Sequence, residues 1–165
     1  MDKIPWNLGN LQDNTTHSSM EWATSHCCVQ HVIQSAGYPI GAIPTLNDII
    51  SYLKISKNQV LSIKNIRKIL EKYNISLKTF YISSTQLKDP DVRLDWLYEI
   101  KKYLVIYKLP VIVSKQHQSF CITDVSDDLD RIHFFDPHTL FDNPPQTAEA
   151  YDFFLNSSWI ACCAF

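Results

Sequence analysis

Two stretches in the second half of the chain carry residue types that do covalent chemistry. They are Gln116-His117-Gln118-Ser119-Phe120-Cys121-Ile122-Thr123-Asp124-Val125 and Arg131-Ile132-His133-Phe134-Phe135-Asp136-Pro137-His138. Together they read as strand–turn–strand, with His117 opening the first strand and Asp136 closing the second. In an antiparallel pair the start of one strand lies beside the end of the next, so His117 and Asp136 are expected neighbours. An imidazole held by a carboxylate supplies two of the three groups of a nucleophilic hydrolase site. Pro137 favours an extended conformation at Asp136. By strand alternation His133 shares a face with Phe135, opposite Phe134 and Asp136, so it is not chosen as the base. His138 follows the turn and either lines a cleft or is solvated.

The missing third group is a nucleophile. A thiol at a helix N-terminus, near an imidazolium, has a lowered pKa and attacks amide carbonyls. Ser18-Ser19-Met20-Glu21 matches a capping box, which predicts a helix within 19–36 that stops at Gly37. Cys27 and Cys28 lie on this helix. If the box is real, Cys27 is more than two turns inside, where the dipole has faded and a buried cysteine is an inert packing residue. Ser18, Ser19 and Thr24 are unusual alternatives. A tetrahedral intermediate also needs an oxyanion donor. Backbone N–H groups at the helix start can serve, with Gln12 and His17 as side-chain candidates. A zinc reading competes: Cys27 and His31, four apart, share a helix face beside His26 and Cys28, with distant Cys162 and Cys163 to complete four ligands. Packing for the cysteines and surface placement for His31 are the simpler expectation, so no metal and no cofactor is expected.

The chain has 165 residues, 45% of them hydrophobic, enough for one domain with a core over 1–165. A formal net charge of -2 and the lack of basic runs give no reason to expect a nucleic-acid partner. No apolar run approaches the roughly 20 residues of a membrane span, and the first residues lack the apolar core of a secretory signal. Five cysteines, four of them in adjacent pairs, do not make a disulfide framework. They predict a cytoplasmic protein, or one folded in a reducing compartment before export. Three glycines exclude a glycine-rich phosphate loop. Nothing in the sequence specifies an oligomeric state.

The elements that must position these residues read as helices first and strands after. Trp22, Ser25, Val29, Val32, Ile33 and Ala36 form one face of the first helix. Thr45-Leu46-Asn47-Asp48 is a looser capping box before Leu46, Ile49, Ile50 and Leu53. Ser62 opens a third helix with Ile63, Ile66, Ile69, Leu70 and Tyr73 in register. Lys78 to Ile82 reads as a strand, and Asp91 to Tyr103 as a helix facing inward with Leu94, Leu97 and Ile100. Leu109 to Val113, the hairpin and the apolar tail from Trp159 to Phe165 complete a mainly antiparallel sheet. The fold class is α+β, with N-terminal helices packed on a C-terminal sheet.

At this point the chain resembles the papain-like cysteine hydrolases. It is most similar to the small bacterial branches: double-glycine leader peptidases, and the effector proteases and glutamine deamidases delivered into host cells. The similarity is carried by Val32-Ile33-Gln34-Ser35-Ala36-Gly37-Tyr38-Pro39, then by Leu109-Pro110-Val111-Ile112-Val113, His117 and Phe135-Asp136-Pro137. It implies a papain-like fold, a peptide or protein substrate, His117 as general base and then acid, and Asp136 as its orienting group. In those families the nucleophilic Cys stands about thirteen residues, between three and four helical turns, before the glycine. Counting back from Gly37 reaches Thr24, with Ala23 one residue earlier and Trp22 in the place of the Trp that often precedes the nucleophile. His17 then matches the oxyanion position six residues upstream of Ala23. Three alternatives stay open: a Cys→Ala change at position 23, a nucleophile at Cys27 or Cys28, and a dead site serving as a binding module. Peptidase and deamidase share the first step and differ in which amine departs.

Overall fold

The computed structural model describes residues 22–116, 118–137 and 145–165. Helix α1 spans Thr24–Ser35, α2 Leu46–Leu53 and α3 Ile63–Glu71; strand β1 (Leu77–Ile82) follows, then α4 (Pro90–Tyr107). Strands β2 (Val111–Lys115), β3 (Gln118–Val125), β4 (Arg131–Phe135) and β5 (Gln146–Glu149) come next, then α5 (Ala150–Phe154) and β6 (Trp159–Ala164). The six strands form one sheet in the order β1-β6-β2-β3-β4-β5, and every pair is antiparallel.

Polar caps define the small helices. Thr45 Oγ1 accepts from the Asp48 N–H, and the Asp48 carboxylate accepts from the Thr45 N–H, closing the predicted capping box. Ser62 caps α3 through the Asn65 N–H. Asp89 caps α4, where Pro90 sits at the first helical position. α4 runs to Tyr107, four residues past the expected end, and stops where Lys108 turns left-handed. It faces the core through Trp96, Leu97, Ile100 and Leu104, while Leu94 is exposed, contrary to expectation.

Helices cover both faces of the sheet. Cys162, Ala164, Ile112, Cys121 and Phe135 pack towards α1, α2 and α3. Trp159, Ala161, Cys163, Val111, Val113, Phe120 and Ile122 pack towards α4 and α5. Double coverage explains why β2 and β6 are unbroken apolar runs rather than alternating ones. β5 and α5 are not anticipated from the sequence. β5 is four mostly exposed residues and α5 a five-residue helix, both too short to show a period.

Candidate active site

Helix α1 is the innermost helix. Its residues Thr24 to Gln30, Val32 and Ile33 are all buried, so the expected one-sided apolar face does not describe it; Ala36 is exposed. Most of its buried polar groups have partners. Ser25 Oγ accepts from the Leu61 N–H at 3.1 Å. Gln30 Nε2 donates to the Pro44 carbonyl at 2.6 Å. Thr24 Oγ1 accepts from the Ser119 N–H at 2.8 Å. Neither ring nitrogen of His26 has a hydrogen-bond partner, and the Gln30 Oε1 has none either.

α1 itself begins at Thr24, and a 3-10 turn over Trp22 and Ala23 precedes it at the edge of the described residues. Ala23 is its N-cap, with no side-chain cap and no acidic residue in the first turn. The front N–H groups therefore receive nothing from an N-cap side chain, and the positive end of the dipole meets no carboxylate from the first turn. The anticipated box at Ser18 to Glu21 lies outside the described residues. Cys27 and Cys28 are both fully buried. Burial pushes both thiols well above the ordinary range, and the charge of Cys121 raises both further. These are packing thiols that neither face solvent nor ionise readily.

The sheet contributes the opposite wall. β3 pairs with β4 through Cys121↔Phe135 and Ile122↔Phe134, and the register then shifts between Ile122 and Asp124. The ladder ends at Phe135; Asp136 follows half-buried and Pro137 buried. Continued one step, the same register sets Asp136 opposite Phe120. His117 is three residues further along, outside the described residues, and β3 opens at Gln118 rather than at His117. The expected pairing of His117 with Asp136 therefore falls on a residue outside those described. His138, Gln12 and His17 also lie outside the described residues. His133 points elsewhere: its Nδ1 lies 3.2 Å from Thr147 Oγ1 on β5.

What the fold brings together is the front of α1, the start of β3 and the end of β4. Ala23, Thr24, Ser119 and Asp136 are the described residues there. Thr24 and Ser119 are not found by sequence reasoning, because a Thr at a helix start and a Ser in a strand carry no pattern of their own. The zinc set is not assembled: among the described residues no three His, Cys, Asp or Glu side chains could hold a metal. His31 instead meets Phe135 edge-on at 5.2 Å. With Ser35, Lys108 and Thr123 it lines a cleft of about 290 Å³ towards the other end of α1.

No family model matches the chain, and no curated protein matches it in sequence. Among solved structures it is similar to UfSP from C. elegans, with a TM-score of 0.69 and 13% identity. The match covers 93% of this chain. The fold is papain-like. The chain spans 31% of the length of that UfSP chain.

Proposed function

We propose that this chain is a papain-like thiol hydrolase domain acting on amide bonds of a peptide or protein, with position 23 as the seat of the nucleophile. The observation that carries the reading is the junction just described. Ala23 caps an innermost helix whose front N–H groups have no side-chain cap, and that front is tied to the sheet where β4 ends at Asp136. The fold likeness to UfSP supports the class of protein at this coarse level.

The chemistry follows from that geometry. A thiolate at position 23, favoured by the helix dipole, attacks the amide carbonyl; a C–S bond forms and the oxyanion draws on N–H groups at the helix start. An imidazolium oriented by Asp136 gives its proton to the departing amine as the C–N bond breaks. Water, deprotonated by the same imidazole, then splits the thioester to a carboxylic acid and the free thiol. His117 is the imidazole that the sequence suggests. His138, two residues after Asp136 in the sequence, is a second candidate. Alanine has no group that attacks, so the chain as it stands holds substrate without cutting it. If position 23 is natively alanine, the domain is a binding module on the same scaffold.

The test is Ala23→Cys. Its expected outcome is an introduced thiol that reacts with iodoacetamide at pH 6 roughly tenfold faster than a free cysteine. His117→Ala and His138→Ala, each made in that background, should differ, with only the true base abolishing turnover. Mass spectrometry of candidate substrates separates the two chemistries: fragments mean peptidase, and a gain of about one mass unit means deamidation. Ala23 is fully buried, so the reagent's reach is part of the test. An introduced thiol that is slow at every pH, with no turnover, overturns the reading.

A further inference from the structure

The contact between Thr24 and Ser119 is placed where a positioning device for this site would have to be. Thr24 is the first residue of α1 and the chain neighbour of position 23. Its hydroxyl is buried, and so is Ser119. Strand geometry explains why the bond exists. β2 and β3 are joined across Lys115↔Gln118 by two residues, and the next pair is Ser114↔Ser119. In an antiparallel hairpin a hydrogen-bonded pair alternates with a non-hydrogen-bonded one. Flanking a two-residue turn, Lys115 and Gln118 form the first kind and Ser114 and Ser119 the second. Two consequences match the structure. The side chains of the second pair approach closely, and Ser114 Oγ lies 2.7 Å from Ser119 Oγ. The Ser119 N–H points away from β2, towards β4.

β4 has left the sheet by then. Its last pair with β3 is Cys121↔Phe135, and two residues on stands Pro137, which cannot continue a ladder. The Ser119 N–H would be a buried, unsatisfied donor there, which is destabilising. The Thr24 hydroxyl accepts it at 2.8 Å, across 95 residues of sequence. The helix front is thereby spliced into the slot that β4 vacates beside Asp136.

We infer that Thr24 is a positioning residue: by taking the Ser119 N–H it sets the separation between position 23 and the sheet end that carries Asp136. This rests on the reading of position 23 given above and adds to it a residue that touches no substrate. A methyl at Thr24 in place of the hydroxyl leaves the helix its β-branched shape and removes the acceptor, whereas serine keeps the acceptor and loses the methyl. Thr24→Val and Thr24→Ser are therefore the informative pair.

Two measurements separate the inference from the reading under it. Amide hydrogen exchange at Ser119, read by NMR on the chain as it stands, tests the bond without any nucleophile. Thr24→Val should speed exchange at least roughly tenfold and Thr24→Ser should not. Alkylation rate against pH, read in the Ala23→Cys background, tests the role. The parent should show a thiolate that persists to low pH. Thr24→Val should move that profile towards an ordinary thiol, Thr24→Ser should leave it, and Asp136→Asn combined with Thr24→Val should add little beyond either alone. A faster Ser119 amide with an unmoved thiolate profile overturns the positioning role and leaves a bond of structural value only. An unchanged Ser119 amide in Thr24→Val overturns the bond itself. A parent with the profile of a free cysteine overturns the functional reading, and this shows before any Thr24 variant is made.

Discussion

At the scale of single residues, the buried polar side chains of α1 separate into those with partners and one without. His26 is fully buried against the Trp22 ring, 5.4 Å edge to face. Burial brings its pKa from 6.5 to about 4; the Trp22 backbone lies near enough to oppose this, though outside hydrogen-bond geometry. The unfolded chain takes up this proton once pH falls below about 6.5, whereas the folded protein resists until about 4. Stability linked to His26 is therefore complete above the unfolded value and is lost as pH falls through that window, by roughly 3 kcal/mol at its lower end. Urea unfolding at pH 7 and at pH 4.5 checks this. His26→Leu should flatten the difference and cost little at pH 7, because it removes a polar group that makes no hydrogen bond. The same scale shows how far the site could be read from sequence. Counting back from Gly37 reaches Thr24, with Ala23 one residue earlier, and α1 begins at Thr24. A bulge interrupts the β3–β4 register between Ile122 and Asp124, and the residues of a single strand do not announce it.

At the scale of elements, the helices whose ends were legible are those with side-chain caps. The reciprocal Thr45 and Asp48 bonds at 3.0 and 3.1 Å define the start of α2. The bonds from the Thr45 backbone and hydroxyl hold the Asp48 carboxyl below its usual range. Thr45→Ala should lower stability by about 1 kcal/mol and let the Asp48 pKa rise. A shift of the urea midpoint, with NMR titration of the carboxylate, tests both. α1 was harder because its cap is an alanine and its buried surface runs all the way round. A 3.6-residue pattern needs a wet side to be visible, and this helix shows little of one. α4 was underestimated because its last turn, Leu104 to Tyr107, is mostly exposed and its stop is a left-handed lysine rather than a glycine.

At the scale of the whole molecule, the sheet is organised around its latest strand. β6 lies between β1 and β2 and is paired on both sides, with Trp159 filling the α4 side and donating its indole N–H to the Phe154 carbonyl at 3.1 Å. The tail was legible as a strand from its apolar run, but its central place was not, because strand order depends on which neighbours close the sheet rather than on the strand's own residues. Ending the chain before Trp159 should abolish cooperative unfolding and near-UV circular dichroism. Loss of only a few degrees in Tm, with a sharp transition retained, would contradict a central role for β6. Trp159→Ala, which leaves the backbone pairing possible, should cost about 3–5 kcal/mol.

The position of β6 also has a meaning in time. β1 ends at Ile82 and its sheet neighbour among the described residues, β6, starts at Trp159. A ribosome adding 5–20 residues per second needs roughly 4–15 s to make that stretch. Throughout that interval Leu77, Phe80 and Ile82 lack the strand that pairs with them, while β2 and β3 are made before it. Holdase chaperones act on species of this kind, and the yield of this domain in a cell should depend on them more than its final stability would suggest.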